Sequence, residues 1–260
     1  MSSFNKKPIL SILNLILFMA VVYVNMLAVT LPINGKSTGE LSDQYPNLFV
    51  PAGFTFSIWG VIYLLLLVFV VYQIWVSFNK KTVQKLTVQS QILFGLTNLL
   101  NISWILAWHY EMVTLSVLIM IAFLLTLIVL FLNNEKIQHK TLVEKISIET
   151  PINVYLGWIS VATIANITAL FVTIGWTGSP LTESTWTIIM LSIGAGLAVL
   201  MLFQRANFAY ALVIIWAFYG IFSKRQTSEN PEIAQTALLL IVVIASSFSY
   251  SLFKKLSSKI

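Results

Sequence analysis

Residues 50–73 read VPAGFTFSIWGVIYLLLLVFVVYQ. From Phe54 onward the run is apolar and long enough to cross a hydrocarbon core of about 30 Å, which takes about 20 helical residues. Its first half nevertheless carries Thr55, Ser57, Trp59 and Tyr63 where a plain anchor would carry Leu and Val. Phe56, Trp59 and Tyr63 follow i, i+3, i+7 and share one helix face. A spanning helix with a polar, aromatic face toward one end raises the question of what that face meets.

The rest of the chain sets the frame. Of 260 residues, 58% are hydrophobic and 9% charged, against about a quarter charged in a soluble domain. The sequence predicts an all-α, polytopic membrane bundle of eight transmembrane helices, at 9–31, 53–77, 87–109, 112–132, 151–174, 185–203, 207–223 and 233–253. The first run is longer than a signal-peptide core of about 7–15 residues, so it reads as a retained helix.

The eight-span count makes a charge prediction. One side receives Lys6, Lys7, Lys80, Lys81, Lys85, Lys136, Lys140, Lys145, Arg205, Lys254, Lys255 and Lys259; the other receives Lys36, Lys224 and Arg225. This asymmetry places both termini in the cytoplasm of a plasma-membrane protein. The net charge of +6 thus reads as topology signal and headgroup contact, with no nucleic-acid surface. The loop 32–52 is the long outer connection, and its turn formers predict order by turns or docking. The loop 133–150 reads as a solvated helical extension.

Some chemistry is excluded. With no Cys there is no disulfide, thiolate metal site or Cys nucleophile. No Asp, Glu, Lys or Arg falls mid-span, which argues against a proton-coupled pump and an intramembrane hydrolase. His109 and His139 fall on opposite sides and cannot share a metal or haem iron; His109 reads as part of an interfacial turn. Asn101-Ile-Ser103 and Asn166-Ile-Thr168 match the glycosylation pattern but lie inside spans.

The polar and aromatic groups gather in three spans. The second holds Thr55, Phe56, Trp59 and Tyr63, and the third Asn98, Asn101 and Trp104. In the fifth, Tyr155, Trp158, Ala162 and Asn166 run i, i+3, i+7, i+11 down one face, with Thr163 beside them. At about 1.5 Å per residue, Trp59 lies roughly 9 Å, and Asn101 and Asn166 roughly 12 Å, below the outer ends of their helices. Trp and Asn at similar depth under a long outer loop have the makings of a lidded aromatic pocket. The alternative is packing, because Asn also joins helices in lipid. Trp75, Trp108, Trp176 and Trp186 read as interfacial belt residues. Trp216 and Tyr219 read as packing, and Ser192-x-x-x-Gly196 as a small-residue helix contact.

Three stretches resemble the TspO/MBR family of tryptophan-rich sensory proteins. Pro51-Ala-Gly-Phe-Thr-Phe-Ser-Ile-Trp59-Gly-Val-Ile-Tyr63 is similar to its Pro-Pro…Phe…Val-Trp…Leu-Tyr signature. Asn101-Ile-Ser-Trp104 is similar to its Asn-x-x-Trp, and Trp158-Ile-Ser-Val-Ala162-Thr163-Ile-Ala-Asn166 to its Trp-x-x-x-Ala-Thr-x-x-Asn. The resemblance implies a five-helix bundle over 1–176, with three additional helices over 177–260. It also implies a non-enzymatic receptor or sensor that binds a porphyrin, such as protoporphyrin IX or haem, as ligand with no resident cofactor, and it admits a homodimer. The candidate ligand-binding residues are Phe49, Pro51, Phe56, Trp59, Tyr63, Asn101, Trp104, Trp158, Ala162, Thr163 and Asn166, of which Trp59, Asn101, Trp104, Ala162 and Asn166 fall on positions that match the family's motifs. Phe49-Val50-Pro51-Ala52 departs from the family's Trp-x-Pro-Pro, so the loop lacks its usual Trp. The rival readings are a passive transporter of small hydrophobic molecules, a porphyrin-degrading enzyme using Trp photochemistry, and an assembly protein without a ligand.

Overall fold

The computed structural model describes residues 6–30, 33–79 and 85–257. Pro32, Lys80, Lys81 and Lys259 of the readings above lie outside the described residues, as does the Lys6 side chain. The secondary structure of the described residues is helical, with no strand among them. Its helices are α1 (Lys6–Thr30), α2 (Thr38–Asp43), α3 (Ile58–Phe78), α4 (Val88–His109), α5 (Val113–Glu135), α6 (Leu142–Glu144), α7 (Thr150–Thr173), α8 (Glu183–Arg205), α9 (Phe208–Arg225) and α10 (Pro231–Ser257). A 3₁₀ turn, Gly53–Ser57, leads into α3, and a π-helical turn, Lys145–Glu149, joins α6 to α7.

Among the described residues, eight helices are long and apolar enough to cross a membrane. The chain is therefore a polytopic helical membrane protein with the predicted number of spans. Most bounds agree with the sequence to within about one turn. The exception is the fifth span, whose helix begins at Leu142 because the extension expected in 133–150 runs into it. That extension is solvated only in part. Glu144 is buried, and its carboxylate accepts from Lys85 Nζ at 2.8 Å. It also closes a capping box with Thr141, accepting from the Thr141 backbone N–H at 2.7 Å.

Side-chain oxygens also start α4, α8 and α9. Thr87 accepts from the Ser90 N–H at 3.0 Å, Thr182 from Thr185 at 3.2 Å and Asn207 from Tyr210 at 3.0 Å. Each satisfies one of the amide donors that a helix N-terminus leaves open. The end of α7 is closed by Gly175, at φ 67°, with Trp176 N–H donating to Phe171 O at 2.9 Å and Gly175 N–H to Val172 O at 3.0 Å. A left-handed glycine at this position is what that double closure requires.

The chain packs as two compact units. The first draws on Met1–Thr38 and Ile58–Leu156, the second on Gly39–Ser57 and Gly157–Ile260. This is a division by packing, whereas the 1–176/177–260 division expected above is one of resemblance, and the two need not coincide. In the first unit α1 packs on α3 and α4, and α4 on α5. In the second, α8, α9 and α10 pack on one another.

Glycine sets the closest approaches in the second unit. A Cβ on Gly157 would lie 3.0 Å from Val213 Cβ, and one on Gly194 would lie 3.1 Å from the Phe218 ring. At Gly220 it would run into Thr55, and the Gly220 carbonyl accepts from Ala52 N–H at 3.1 Å. Trp216 fixes the same turn: its Nε1 donates to Thr55 O at 2.9 Å and its ring meets Phe54 edge-on at 5.5 Å. Trp216 thus packs, as its place in the seventh span suggested. Ser192 and Gly196 do not form the expected helix contact, because both are exposed and Gly196 has no neighbour within 4 Å.

Candidate functional site

The eleven candidate residues fall in both units, and each group is described within its own. The first unit holds Trp59, Tyr63, Asn101 and Trp104. Trp59 and Tyr63, one helical turn apart on α3, stack at 5.5 Å with 19° between their planes. Trp59 also stacks on Trp104 of α4 at 6.3 Å, and Trp104 on Trp108 at 6.3 Å. The result is a ladder of four rings, Tyr63–Trp59–Trp104–Trp108, drawn from two helices. Tyr155 meets Trp59 edge-on at 6.2 Å, and Phe123 meets Tyr155 edge-on at 5.3 Å. Trp104 and Trp108 are buried while Trp59 and Tyr63 are half-buried. Trp108 is therefore part of the ladder and not the belt residue expected from its position at a span end. The shared face of α4 overrides the statistics of span ends, since 104 and 108 are i, i+4.

Amides run beside these rings. Asn25 Nδ2 donates to Val21 O at 3.0 Å and to Asn101 Oδ1 at 2.8 Å, and Asn101 Nδ2 donates to the Tyr155 hydroxyl at 2.9 Å. Asn101 thus ties α1, α4 and the start of α7 together. A second tie is Asn14 Nδ2, which donates to Gln73 Oε1 and to Gln91 O, both at 2.9 Å. Asn14 and Asn25 were passed over in the sequence, although they are i, i+11 on an otherwise apolar helix and so share a face. Asn98 differs from both. It is fully buried, one turn before Asn101, and neither atom of its side-chain amide has a hydrogen-bond partner.

The second unit holds Phe49, Pro51, Phe56, Trp158, Ala162, Thr163 and Asn166. Phe49, Pro51, Trp158, Thr163 and Asn166 are buried; Phe56 and Ala162 are half-buried. Phe56 meets Trp158 edge-on at 6.1 Å. Thr163 donates to Ile159 O on its own helix at 2.7 Å. The loop that carries Phe49 is pinned: Phe49 N–H donates to Asn47 Oδ1 at 3.1 Å and Leu48 N–H to Glu183 Oε1 at 2.9 Å. Arg225 holds the same loop, Nη2 donating to Asn47 O at 2.6 Å and Nε to Leu48 O at 3.2 Å.

His109 latches the start of the outer loop. Its Nδ1–H donates to Ile33 O at 3.0 Å, its Nε2 lies 3.1 Å from Thr38 Oγ1, and its carbonyl accepts from Asn34 Nδ2 at 3.0 Å. Asn34 takes a left-handed φ of 57°, which Asn tolerates better than most residues. Lys36 completes the tie with an ion pair to Glu111 at 2.8 Å.

Two open cavities in the second unit are lined by none of the eleven candidates. One, of about 370 Å³, is walled by the end of α7, the α7–α8 connection and the start of α8; the other, of about 330 Å³, is lined by Asp43, Glu183, Lys224 and Arg225 among others. The sequence reading missed the first, because Trp176 and Trp186 were assigned to the belt. Chemically, among the described residues the ladder of the first unit presents π faces, phenol hydroxyls and amides.

No curated protein and no solved structure matches the chain. The profile of the family described as TSPO-like protein matches residues 11–250, and so reaches from α1 into α10 and takes in all three motif stretches. With a match over most of its length, the chain belongs to the TSPO-like protein family, multi-pass membrane proteins of small-molecule binding or transport.

Proposed function

We propose that this chain is a non-enzymatic membrane receptor for a flat aromatic small molecule, with a tetrapyrrole such as protoporphyrin IX as the ligand class. The observation that carries the reading is the ladder Tyr63–Trp59–Trp104–Trp108 with the unpartnered amide of Asn98 on the same helix as Trp104. Stacked rings accept a further flat ring at about 0.5–1.5 kcal/mol beyond area burial. An orphaned amide in a bundle costs about 1–3 kcal/mol, which a ligand carbonyl, carboxyl or pyrrole N–H would relieve. Asn101, already bonded to Asn25 and Tyr155, positions the ladder. No imidazole belongs to the ladder, so the reading rests on the macrocycle and not on an iron bond.

The twelve-to-three distribution of basic residues supports a plasma-membrane location with cytoplasmic termini, and the resemblance supports a homodimer. The test is equilibrium titration of the purified protein in a sugar-headgroup detergent with protoporphyrin IX, read by Trp quenching. Saturable binding that weakens in Asn98→Leu is expected. A folded protein that shows no saturation refutes the proposal, and protein-dependent porphyrin flux across sealed vesicles would move the reading to transport.

A further inference from the structure

The 370 Å³ cavity of the second unit has a chemistry distinct from the ladder. Phe171, Trp176 and Trp186 form one contiguous aromatic wall, with ring centroids 4.4 Å apart between the first two and 5.1 Å between the last two. The wall is built in. Trp176 is placed by the double closure of α7 at Gly175. Trp186 donates from Nε1 to Gly178 O at 2.8 Å, and its ring lies over Gly178 so closely that a Cβ there would sit 2.8 Å from Trp186 Cδ1. Pro46 and Asn47 border the cavity from the loop.

Charge decides the occupant. Among the described residues that line the cavity, Glu183 alone has a side chain of the charged type. Its Oε1 accepts from Leu48 N–H, and the carboxylate borders the neighbouring cavity as well. Arg225 interacts with the Glu183 charge from the neighbouring cavity, which both residues border together with the Lys224–Asp43 pair, while its guanidinium donates to the Asn47 and Leu48 carbonyls. A carboxylate beside three aromatic rings favours a cation that sheds water easily, because ring faces attract quaternary ammonium groups. An anion would be repelled by Glu183, and a strongly hydrated cation would gain little from the rings.

We infer that this cavity is a second binding site, selective for a quaternary ammonium group, whether carried by a free organic cation or by a choline lipid headgroup. The site is independent of the proposed porphyrin ladder.

The probe is benzyltrimethylammonium, titrated by Trp fluorescence into the full-length protein in a maltoside detergent. Neopentylbenzene, of the same shape without the charge, runs beside it. Saturable binding of the cation is expected, weaker by about tenfold or more in Glu183→Gln and in Trp176→Leu. Glu183→Gln keeps an acceptor for Leu48 N–H, and folding of both variants is checked by far-UV circular dichroism. Competition by added phosphatidylcholine, with none by phosphatidylglycerol, assigns the site to a lipid headgroup; indifference to both assigns it to a soluble cation. Equal affinity for neopentylbenzene, or unchanged cation affinity in Glu183→Gln, overturns the inference.

Discussion

Asn101→Leu tests whether the amide network of the first unit is an energetic unit. The substitution keeps the volume roughly constant and deletes two inter-element bonds, to Asn25 at 2.8 Å and to Tyr155 at 2.9 Å. Interhelical hydrogen bonds in membranes are worth about 0.6 kcal/mol on average and up to about 1.7, so the pair amounts to about 1–3 kcal/mol. Asn25 keeps its bond to Val21 O, whereas the fully buried Tyr155 hydroxyl loses its donor. The Tyr155 bond should therefore dominate. Tyr155→Phe alone should cost about 0.6–1.7 kcal/mol, and the double variant should fall short of the sum by a similar amount. Reversible unfolding in mixed micelles, followed by far-UV circular dichroism, reads all four corners of the cycle. Asn14→Leu, three helical turns from Asn25 and roughly 16 Å along α1, should add to Asn101→Leu without coupling. Strict additivity of Asn101→Leu and Tyr155→Phe would refute the network.

Other outcomes follow from single contacts. Gly220→Ala should destabilise by about 1–3 kcal/mol through overpacking on Thr55 and be rescued in part by Thr55→Gly, while Gly196→Ala, with open space around it, should be silent in the same melts. Glu144→Ala should cost about 1–3 kcal/mol, because it removes the acceptor of the Thr141 N–H and the ion-pair partner of Lys85 while the Thr141 cap and the Lys85 bond to His139 O remain; Glu144→Gln, which keeps an acceptor for the Thr141 N–H, should fall between it and wild type. His109→Ala removes the ties to Ile33 and Thr38, so amide exchange over 33–38 should quicken with little change in global stability; unchanged exchange would show that the latch is idle.

The eight spans were legible because hydrophobic length is dictated by the bilayer. The three motif stretches were legible because their spacings put the rings and amides on single helix faces. Their partners were not. Trp108 looked like a belt residue, since position along a helix says nothing about which face a neighbour covers. Asn25 was unremarked because its role depends on α4, which sequence spacing on α1 does not reveal. The close approaches at Gly194 and Gly220 carried no signal along the chain, because they are made by Phe218 and Thr55 of neighbouring elements. The three basic residues on the expected outer side, Lys36, Lys224 and Arg225, read as exceptions to a charge rule. Each is held, by Glu111, by Asp43, and by the Asn47 and Leu48 carbonyls. Glu183 was unremarkable in the sequence because two of its aromatic companions, Phe171 and Trp176, come from the end of α7 and the α7–α8 connection.

The receptor reading turns most directly on Trp59, which meets Tyr63 and Trp104 of the ladder and Tyr155 beside it and is only half-buried. The decisive measurement is the Kd for protoporphyrin IX of wild type and Trp59→Leu, determined side by side in the same micelles with folding checked by circular dichroism. A stacking loss of about 1 kcal/mol predicts at least about fivefold weaker binding in the variant. Equal Kd values in two folded proteins would contradict it and remove the ladder as the ligand's seat.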